Sequence, residues 1–182
     1  MSKVLVLLAQ GCEEMEAVTV IDVLRRGGID VVAAGLDDRP IVASRGVVLL
    51  PDTTFDLALG MGEFDMVVLP GGMGGTNALA DDARVAGLLH DAAAAGKHVC
   101  AICAAPLVLA RAGLLKDKAF TAYPGVVESA DSGGTNTGAA VQADGRIITS
   151  RGPGTAMDFA LHLVEVLAGS DTRDQVEKAL VR

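Results

Sequence analysis

Short, nearly uninterrupted apolar runs, separated by segments with helical periodicity, constrain the fold of this chain of 182 residues more than any other feature. Lys3–Ala9 and Met66–Leu69 are runs of strand length without polar alternation, as expected for strands buried on both faces of a parallel sheet. Between them, Glu14–Arg26 repeats apolar residues at helical spacing. The alternation predicts an α/β fold in which a single doubly wound, mostly parallel sheet lies between helix layers, formed by one domain over residues 1–182.

The same patterns give the expected bounds of the elements. Strands are expected at Lys3–Ala9, Ile29–Ala34, one or two short segments within 41–50, Met66–Leu69, Lys97–Ile102, Ala119–Tyr123, and a hairpin of Ala139–Gln142 with Arg146–Thr149. Helices are expected at Glu14–Arg26, Asp81–Ala95, Ala105–Ala112 and Thr155–Ala168. Ligands of doubly wound folds bind beyond the carboxyl ends of the strands. The candidate site loops are therefore Gln10–Glu16, Pro70–Asn77 and Cys103–Pro106.

The strongest chemical signal lies where one buried strand ends. Cys103 follows the strand, two alanines come next, and Pro106 stands where a helix would begin. Small residues permit a sharp turn that lifts one side chain out of the sheet, and proline suits a first helical turn because it has no N–H to leave unpaired. A helix N-terminus favours thiolate, so Cys103 is expected to ionise early and act as a nucleophile. The alternative is a buried cysteine that acts as a small hydrophobic residue.

The other two cysteines, Cys12 and Cys100, do not indicate a disulfide framework. Cys100 and Cys103 form C-x-x-C, but three residues of an extended strand span about 10 Å, whereas a disulfide needs Cα atoms about 4.4–6.8 Å apart. No second C-x-x-C or histidine pair completes a zinc site. Cys100 is therefore interpreted as a core residue.

The loop at residues 70–75 is rich in glycine and follows a strand. Uncovered backbone N–H groups of such a loop, including those of Gly71 and Gly72, suit the stabilisation of an oxyanion near Cys103. The alternative is a flexible turn without a chemical role. The first turn after a strand lacks G-x-G-x-x-G, so no dinucleotide site is expected.

Three acidic residues, Glu13, Glu14 and Glu16, crowd the first turn of the first helix. Acids at this position commonly do no more than interact with the helix dipole. Helical phase places Glu16 at the edge of the apolar face, where a neutral carboxylic acid could hydrogen-bond the cysteine sulfur or move a proton. Phase alone does not choose Glu16 over its neighbours.

The formal net charge of −8 makes nucleic acid and anionic membranes poor partners, because both would repel the chain. The longest apolar runs are well short of the ~20 residues that span a bilayer. The chain opens with a strand-like run instead of a cleavable signal pattern. We therefore expect a soluble, cytoplasmic protein.

Through these loops the sequence resembles the ThiJ/PfpI superfamily, specifically its DJ-one branch of deglycase-like proteins, over nearly the whole chain. The family's motifs occur in order as a glutamate loop at Gly11–Glu16, a glycine loop at Leu69–Gly72, a cysteine elbow at Ala101–Pro106 and a closing loop at Ser150–Thr155. The resemblance implies a flavodoxin-like fold, as in class I glutamine amidotransferases. It also implies a homodimer and no metal, nucleotide or other cofactor.

The resemblance further implies roles for individual residues. It makes Cys103 the nucleophile and oxidation-sensitive thiol, and Glu16 the acid that hydrogen-bonds it. The oxyanion and pocket residues that it implies are Gly71, Gly72, Ala104, Tyr123, Arg45 and Arg151, with the two arginines at the pocket mouth, partly across a dimer interface. Tyr123 is a departure, since many members carry a histidine there. Ala104 replaces the histidine of the peptidase-like branch, and no late Cys/His/Glu triad occurs, so protease and amidotransferase functions are not expected.

Two functions compete. In the first, an enzyme of carbonyl and oxidative stress defence, the Cys103 thiolate attacks methylglyoxal, glyoxal or an early glycation adduct, Glu16 moves the proton, and hydrolysis releases lactate or glycolate. In the second, a redox sensor or stress chaperone without turnover, Cys103 oxidises to a sulfinic acid stabilised by protonated Glu16. The absent histidine slightly favours the second. A plain binding module leaves the elbow and the glycine loop without a purpose.

Two helices carry more apolar surface than one core would cover. The helix at Thr155–Ala168 is polar only along Asp158, His162 and Glu165, and Met15 falls opposite the core face of the first helix. Such surface predicts contact with a second subunit. The alternative for the later helix is a position wedged between the sheet and loops.

Overall fold

The computed structural model describes residues 1–182 and contains eleven strands and eight α-helices. The strands are β1 (Lys3–Leu8), β2 (Asp30–Gly35), β3 (Ile41–Val42), β4 (Val48–Leu49), β5 (Thr53–Thr54), β6 (Met66–Leu69), β7 (His98–Ile102), β8 (Ala119–Phe120), β9 (Thr135–Asn136), β10 (Val141–Asp144) and β11 (Ile147–Ser150). The helices are α1 (Glu14–Arg26), α2 (Phe55–Leu59), α3 (Met73–Asp81), α4 (Ala83–Ala94), α5 (Pro106–Arg111), α6 (Ser129–Ser132), α7 (Ala156–Ala168) and α8 (Ser170–Ala179). None of them combines the length and apolarity needed to cross a lipid bilayer.

Seven strands form the central sheet, in the order β10-β11-β7-β6-β1-β2-β5. Neighbouring strands are parallel except β10 and β11, which form the expected antiparallel hairpin. The strands β3 and β4 form a separate antiparallel hairpin within residues 41–50, also as expected. The predicted fold class, a mostly parallel sheet between helix layers, is confirmed.

The sheet is covered on both faces because its strands are apolar on both. In β1, Val4, Val6 and Leu8 pack into the core beneath α1 and α7, whereas Leu5 and Leu7 pack into the core beneath α4 and α5. All five side chains are at most 2% exposed. Full burial of an aliphatic side chain stabilises the fold by about 1.5–3 kcal/mol, so this alternation fixes which residues of β1 face which helix layer.

The apolar surface of α7, which suggested a subunit contact, is covered within the chain. Phe159, Leu161 and Leu163 are buried, and α7 packs against both α1 and α8. That argument for a dimer is therefore wrong, because the sequence analysis did not anticipate α8, a largely polar helix whose one buried side chain is Val176. Met15 on α1 is 60% exposed, as expected.

Other differences from the expected bounds have local causes. The glycine-rich segment 70–77 is not all loop, since α3 begins at Met73. The helix expected at 81–95 starts after Asp82, whose extended backbone and N-capping carboxylate separate α4 from α3. The strand expected at 119–123 is shorter, and it pairs with β9 in a small sheet of its own.

Candidate active site at the carboxyl ends of β1, β6 and β7

The three loops singled out by the sequence meet at one edge of the sheet. The backbone N–H of Glu13 donates to the carbonyl of Gly71 at 2.9 Å, and the N–H of Gly71 donates to Oε2 of Glu16 at 2.7 Å. A Cβ atom at residue 71 would lie 2.7 Å from Cβ of Cys103 and 2.8 Å from Oε2 of Glu16. Only glycine fits between these two side chains, so the close approach of the loops requires it.

Cys103 occupies a strand-to-helix turn, as predicted. Its φ of 64° is left-handed, a conformation that costs a non-glycine residue about 1–2 kcal/mol. Neighbouring backbone holds it there: its N–H donates to the carbonyl of Ser150 at 2.9 Å, and its carbonyl accepts the N–H of Tyr123 at 2.7 Å. Pro106 is the first residue of α5. The residue is 7% exposed.

Glu16 is the acid that faces Cys103, a choice that helical phase could not make. It is fully buried, Oε1 has no hydrogen-bonded partner, and the Cys103 thiol is the side chain that interacts with its carboxyl group. Glu14 turns the other way, and its two oxygens accept the hydroxyl of Ser44 and the N–H of Arg45, each at 2.8 Å. The hydrogen bonds from its own N–H, Ser44 and Arg45 outweigh desolvation and hold the pKa of Glu14 below its ordinary value.

The candidate oxyanion donors divide into two kinds. The backbone N–H groups of Gly72 and Ala104 favour a negative charge on the Cys103 sulfur and act to lower its pKa. The N–H of Gly71, which belongs to the predicted set of oxyanion and pocket residues, is bonded to Glu16 and fixes the acid. Gly72 has a φ of 83°, and a Cβ there would lie 2.6 Å from the amide nitrogen of Glu13.

Burial governs the protonation of the pair. Desolvation raises the pKa of Glu16 to about 7, against the hydrogen bond from Gly71. Desolvation also raises the pKa of Cys103 to about 12, and the negative charge of Glu16 adds to the rise. The expectation that the helix N-terminus makes Cys103 ionise early is therefore wrong, because burial and the charge of Glu16 outweigh the backbone N–H groups. Strongly interacting groups titrate as a pair, so thiolate requires the proton to reside on Glu16.

The residues assigned to the pocket mouth lie in two places. Tyr123 and Arg151 line a cavity of about 320 Å³ together with the loop at residues 152–155, and Tyr123 is bonded through its amide to the elbow. Arg45 is not part of this cavity, since it occupies the turn between β3 and β4 that Glu14 holds. Neither guanidinium group forms a salt bridge; that of Arg151 donates to the carbonyl of Gly138 at 3.0 Å.

The remaining cysteines and histidines lie outside the Glu16–Cys103 pair. Cys100 is fully buried within β7, as interpreted, and burial raises its pKa. Burial, with Glu14, raises the pKa of Cys12 to about 11. His98 begins β7, at the opposite end of that strand from the elbow, and interacts electrostatically with His162. These two are not simple surface residues, because each has one buried ring nitrogen without a partner.

Known proteins similar to this chain were found by sequence and by structure. A family model described as the DJ-1/PfpI family matches residues 2–166. Protein dj-1beta of Drosophila melanogaster is 45% identical over 179 residues, 97% of this chain and 95% of that protein. The glutathione-independent glyoxalase DJR-1.2 of Caenorhabditis elegans is 32% identical over 179 residues, 98% of this chain and 95% of that protein. The crystal structure of Drosophila melanogaster DJ-1beta has a TM-score of 0.93 at 43% identity, covering 100% of this chain and 98% of that chain.

Proposed function

Because the chain belongs to the DJ-1/PfpI family, we propose that it is a cofactor-independent, cysteine-dependent enzyme of carbonyl and oxidative stress defence. Its substrates are small 2-oxoaldehydes such as methylglyoxal and glyoxal, or their early glycation adducts. The products are 2-hydroxy acids. The relative named as a glutathione-independent glyoxalase supports this class of substrate.

The observation that carries the proposal is the contact between a buried carboxyl group and the Cys103 thiol. The sulfur bonds to the aldehyde carbon of methylglyoxal, and the proton of Glu16 passes to the carbonyl oxygen to give a hemithioacetal. The Glu16 carboxylate then moves the C–H proton of that carbon to its neighbour, and the hydroxyl proton of the first carbon passes to the carbonyl oxygen of the second. The first carbon becomes a thioester and the second an alcohol. Water cleaves the thioester, releases lactate and restores the thiol.

The backbone donors act on the oxygen of each tetrahedral intermediate. The N–H groups of Gly72 and Ala104 favour a negative charge on the sulfur, and we assign them to the oxygen on the carbon bonded to it. Preorganised donors of this kind stabilise a transition state by about 2.7–4 kcal/mol each. Glu16 is the acid–base side chain whose carboxyl group interacts with the Cys103 thiol, so we assign every proton transfer to it.

Lactate formation from methylglyoxal tests this function. We expect lactate from the purified wild-type protein and a loss of at least about 100-fold in Cys103→Ser, because the hydroxyl is a far weaker nucleophile than the thiolate. Cys100→Ala removes the buried thiol within β7, three residues before Cys103. This variant is the matched control and should retain activity. Equal lactate production by wild type and Cys103→Ser contradicts the proposal.

A second candidate, a redox sensor or stress chaperone, is favoured by the absence of a histidine beside the pair. The two N–H groups and a protonated Glu16 supply donors for the oxygens of a sulfinic acid on Cys103. If turnover is absent, the intact mass of the protein after mild peroxide treatment tests this second candidate. It requires a mass increase of two oxygens in the wild-type protein and no such increase in Cys103→Ser.

The proposed functional form is a homodimer. Met15, Val18, Val48 and Leu50 are large apolar side chains on α1 and the neighbouring hairpin region, exposed by 48–83%. A second copy of the chain is the occupant we propose for this surface.

A further inference from the structure

Glu13, the residue before α1, holds the backbone of Glu16. Its carboxylate is the N-cap of the helix and accepts the N–H of Glu16 at 2.9 Å. N-cap hydrogen bonds of this type contribute about 1 kcal/mol. Glu13 has no contact with Cys103 that would make it a catalytic residue, and nothing in the proposed chemistry uses it.

The spacing of Glu13 and Glu16 is that of a capping box, but the second half of the box is missing. In a capping box, the acid three residues after the cap reaches back to the backbone N–H of the cap residue. Here the N–H of Glu13 donates to the carbonyl of Gly71 instead, and the N–H of Gly71 donates to Glu16. Gly71 of the glycine loop is thus inserted into the box through its N–H and its carbonyl, which turns the Glu16 carboxyl group toward Cys103.

Glu13 also contributes charge. Its carboxylate adds to burial in raising the pKa of Glu16. The other titratable groups that act on Glu16 or feel its charge are the thiols of Cys103 and Cys12. Glu14, one residue further along, directs its carboxylate at the β3–β4 turn and is absent from the groups that shift Glu16.

We propose that Glu13 is a positioning residue for the Glu16–Cys103 pair: its carboxylate fixes the first turn of α1 against the glycine loop, and its negative charge acts on that pair. The proposal rests on the proposed function only in taking Cys103 as the reacting group. It adds Glu13 to a site in which Cys103 and Glu16 carry the chemistry.

The alkylation rate of Cys103 by iodoacetamide, followed by peptide mass from about pH 5 to about pH 10, tests the proposal without requiring turnover. The wild-type rate should rise with pH and level off near pH 7, where Glu16 begins to lose its proton and its charge opposes the thiolate. Glu13→Gln keeps an oxygen that can accept the N–H of Glu16 but removes the charge. We expect it to move the levelling point down by about 0.5 pH unit.

Two further variants separate the roles. Glu14→Gln removes the same charge from the same helical turn and should leave the levelling point in place. Glu13→Asp keeps the charge and a side chain that caps well, so it should restore the wild-type profile even if Glu13→Gln folds poorly. An unchanged profile in Glu13→Gln overturns the proposal, and so do equal shifts in Glu13→Gln and Glu14→Gln. A shift without lactate production supports the role of Glu13 and counts only against the proposed enzyme.

Discussion

Cys103 has an unfavourable backbone conformation, and its surroundings oppose ionisation of its thiol. The backbone is left-handed, and burial together with the charge of Glu16 opposes ionisation. Both conditions persist because the surrounding strands and loops fix the turn through hydrogen bonds. The reactive form is therefore one in which the pair has lost one proton and the remaining proton lies on Glu16.

Replacement of Glu16 by glutamine should make the thiol easier to ionise while abolishing proton transfer. In the wild type, alkylation of Cys103 levels off near pH 7 because Glu16 becomes charged. In Glu16→Gln that charge never forms, so the rate should keep rising and exceed the wild-type rate by about tenfold or more at about pH 9. Lactate production should fall in the same variant. Coincident alkylation profiles for the two proteins contradict this account of the pair.

The sequence was sufficient to place Cys103, because a buried strand, two alanines and a proline permit few geometries other than an elbow. It could not select Glu16, since the choice depends on the N–H of Gly71, a residue 55 positions away. It also gave the wrong direction for the pKa of Cys103, because the burial of both side chains arises only when three loops pack together. Glu13 was missed, although its spacing from Glu16 is that of a capping box.

Two strands and one helix meet at a polar cluster at the edge of the sheet opposite the site. Nη1 of Arg146, just before β11, lies 2.5 Å from Nε2 of His98 at the start of β7. Nδ1 of His98 and Nε2 of His162 on α7 are buried without partners. Burial, Arg146 and His162 lower the pKa of His98, so the folded protein favours its neutral imidazole.

This cluster should make stability depend on pH. The folded pKa of His98 is below the ordinary value of about 6.5, so its contribution to stability is present above that pH and lost as the pH falls below it. Urea midpoints at about pH 7.5 and about pH 5.5 should show a smaller fall for His98→Gln than for the wild type. His90→Gln, at an exposed histidine, is the control. If the urea midpoint falls equally in the wild type and in His98→Gln, His98 is not the source of the pH dependence.

The elements that could be predicted are those in which the spacing of apolar residues indicates the buried face. The bounds of α1 agree with the expected helix because its apolar residues keep a regular period, and β6 is an uninterrupted apolar run. The helices α3 and α8 were missed for opposite reasons: α3 starts in a glycine-rich segment, and α8 is polar and held by its contact with α7. Neither sequence carries a period that predicts a helix.

On the scale of the whole molecule, α1 and the segment after β4 leave an apolar surface uncovered. Val18 on α1 and Leu50 after β4 line one groove and are 48% and 83% exposed. Exposed apolar side chains grouped in this way are typical of an interface between proteins. The exposed Met15 extends the same helix surface.

A second copy of the chain on this surface predicts a dimeric mass by light scattering at micromolar concentration. Val18→Glu should shift the protein toward the monomer, because a dimer would bury two unpaired carboxylates. Met61→Glu places the same charge after α2, at a side chain that is 47% exposed and lines no cavity with Val18 or Leu50, and it should leave the mass unchanged. A monomeric mass for the wild-type protein ends the dimer proposal.

The buried Glu16 carboxyl group supplies a proton for the proposed reaction, and the same burial makes the stability of the fold depend on pH. An unfolded glutamate ionises near pH 4.5, whereas this one holds its proton to about pH 7, so the folded form gains from that proton and loses the gain as the solution becomes more alkaline. The conditions that charge the carboxyl group also loosen the structure around it. Glutamine at this position would avoid that loss of stability at alkaline pH. It would also leave the site without a side chain that can carry a proton to the substrate.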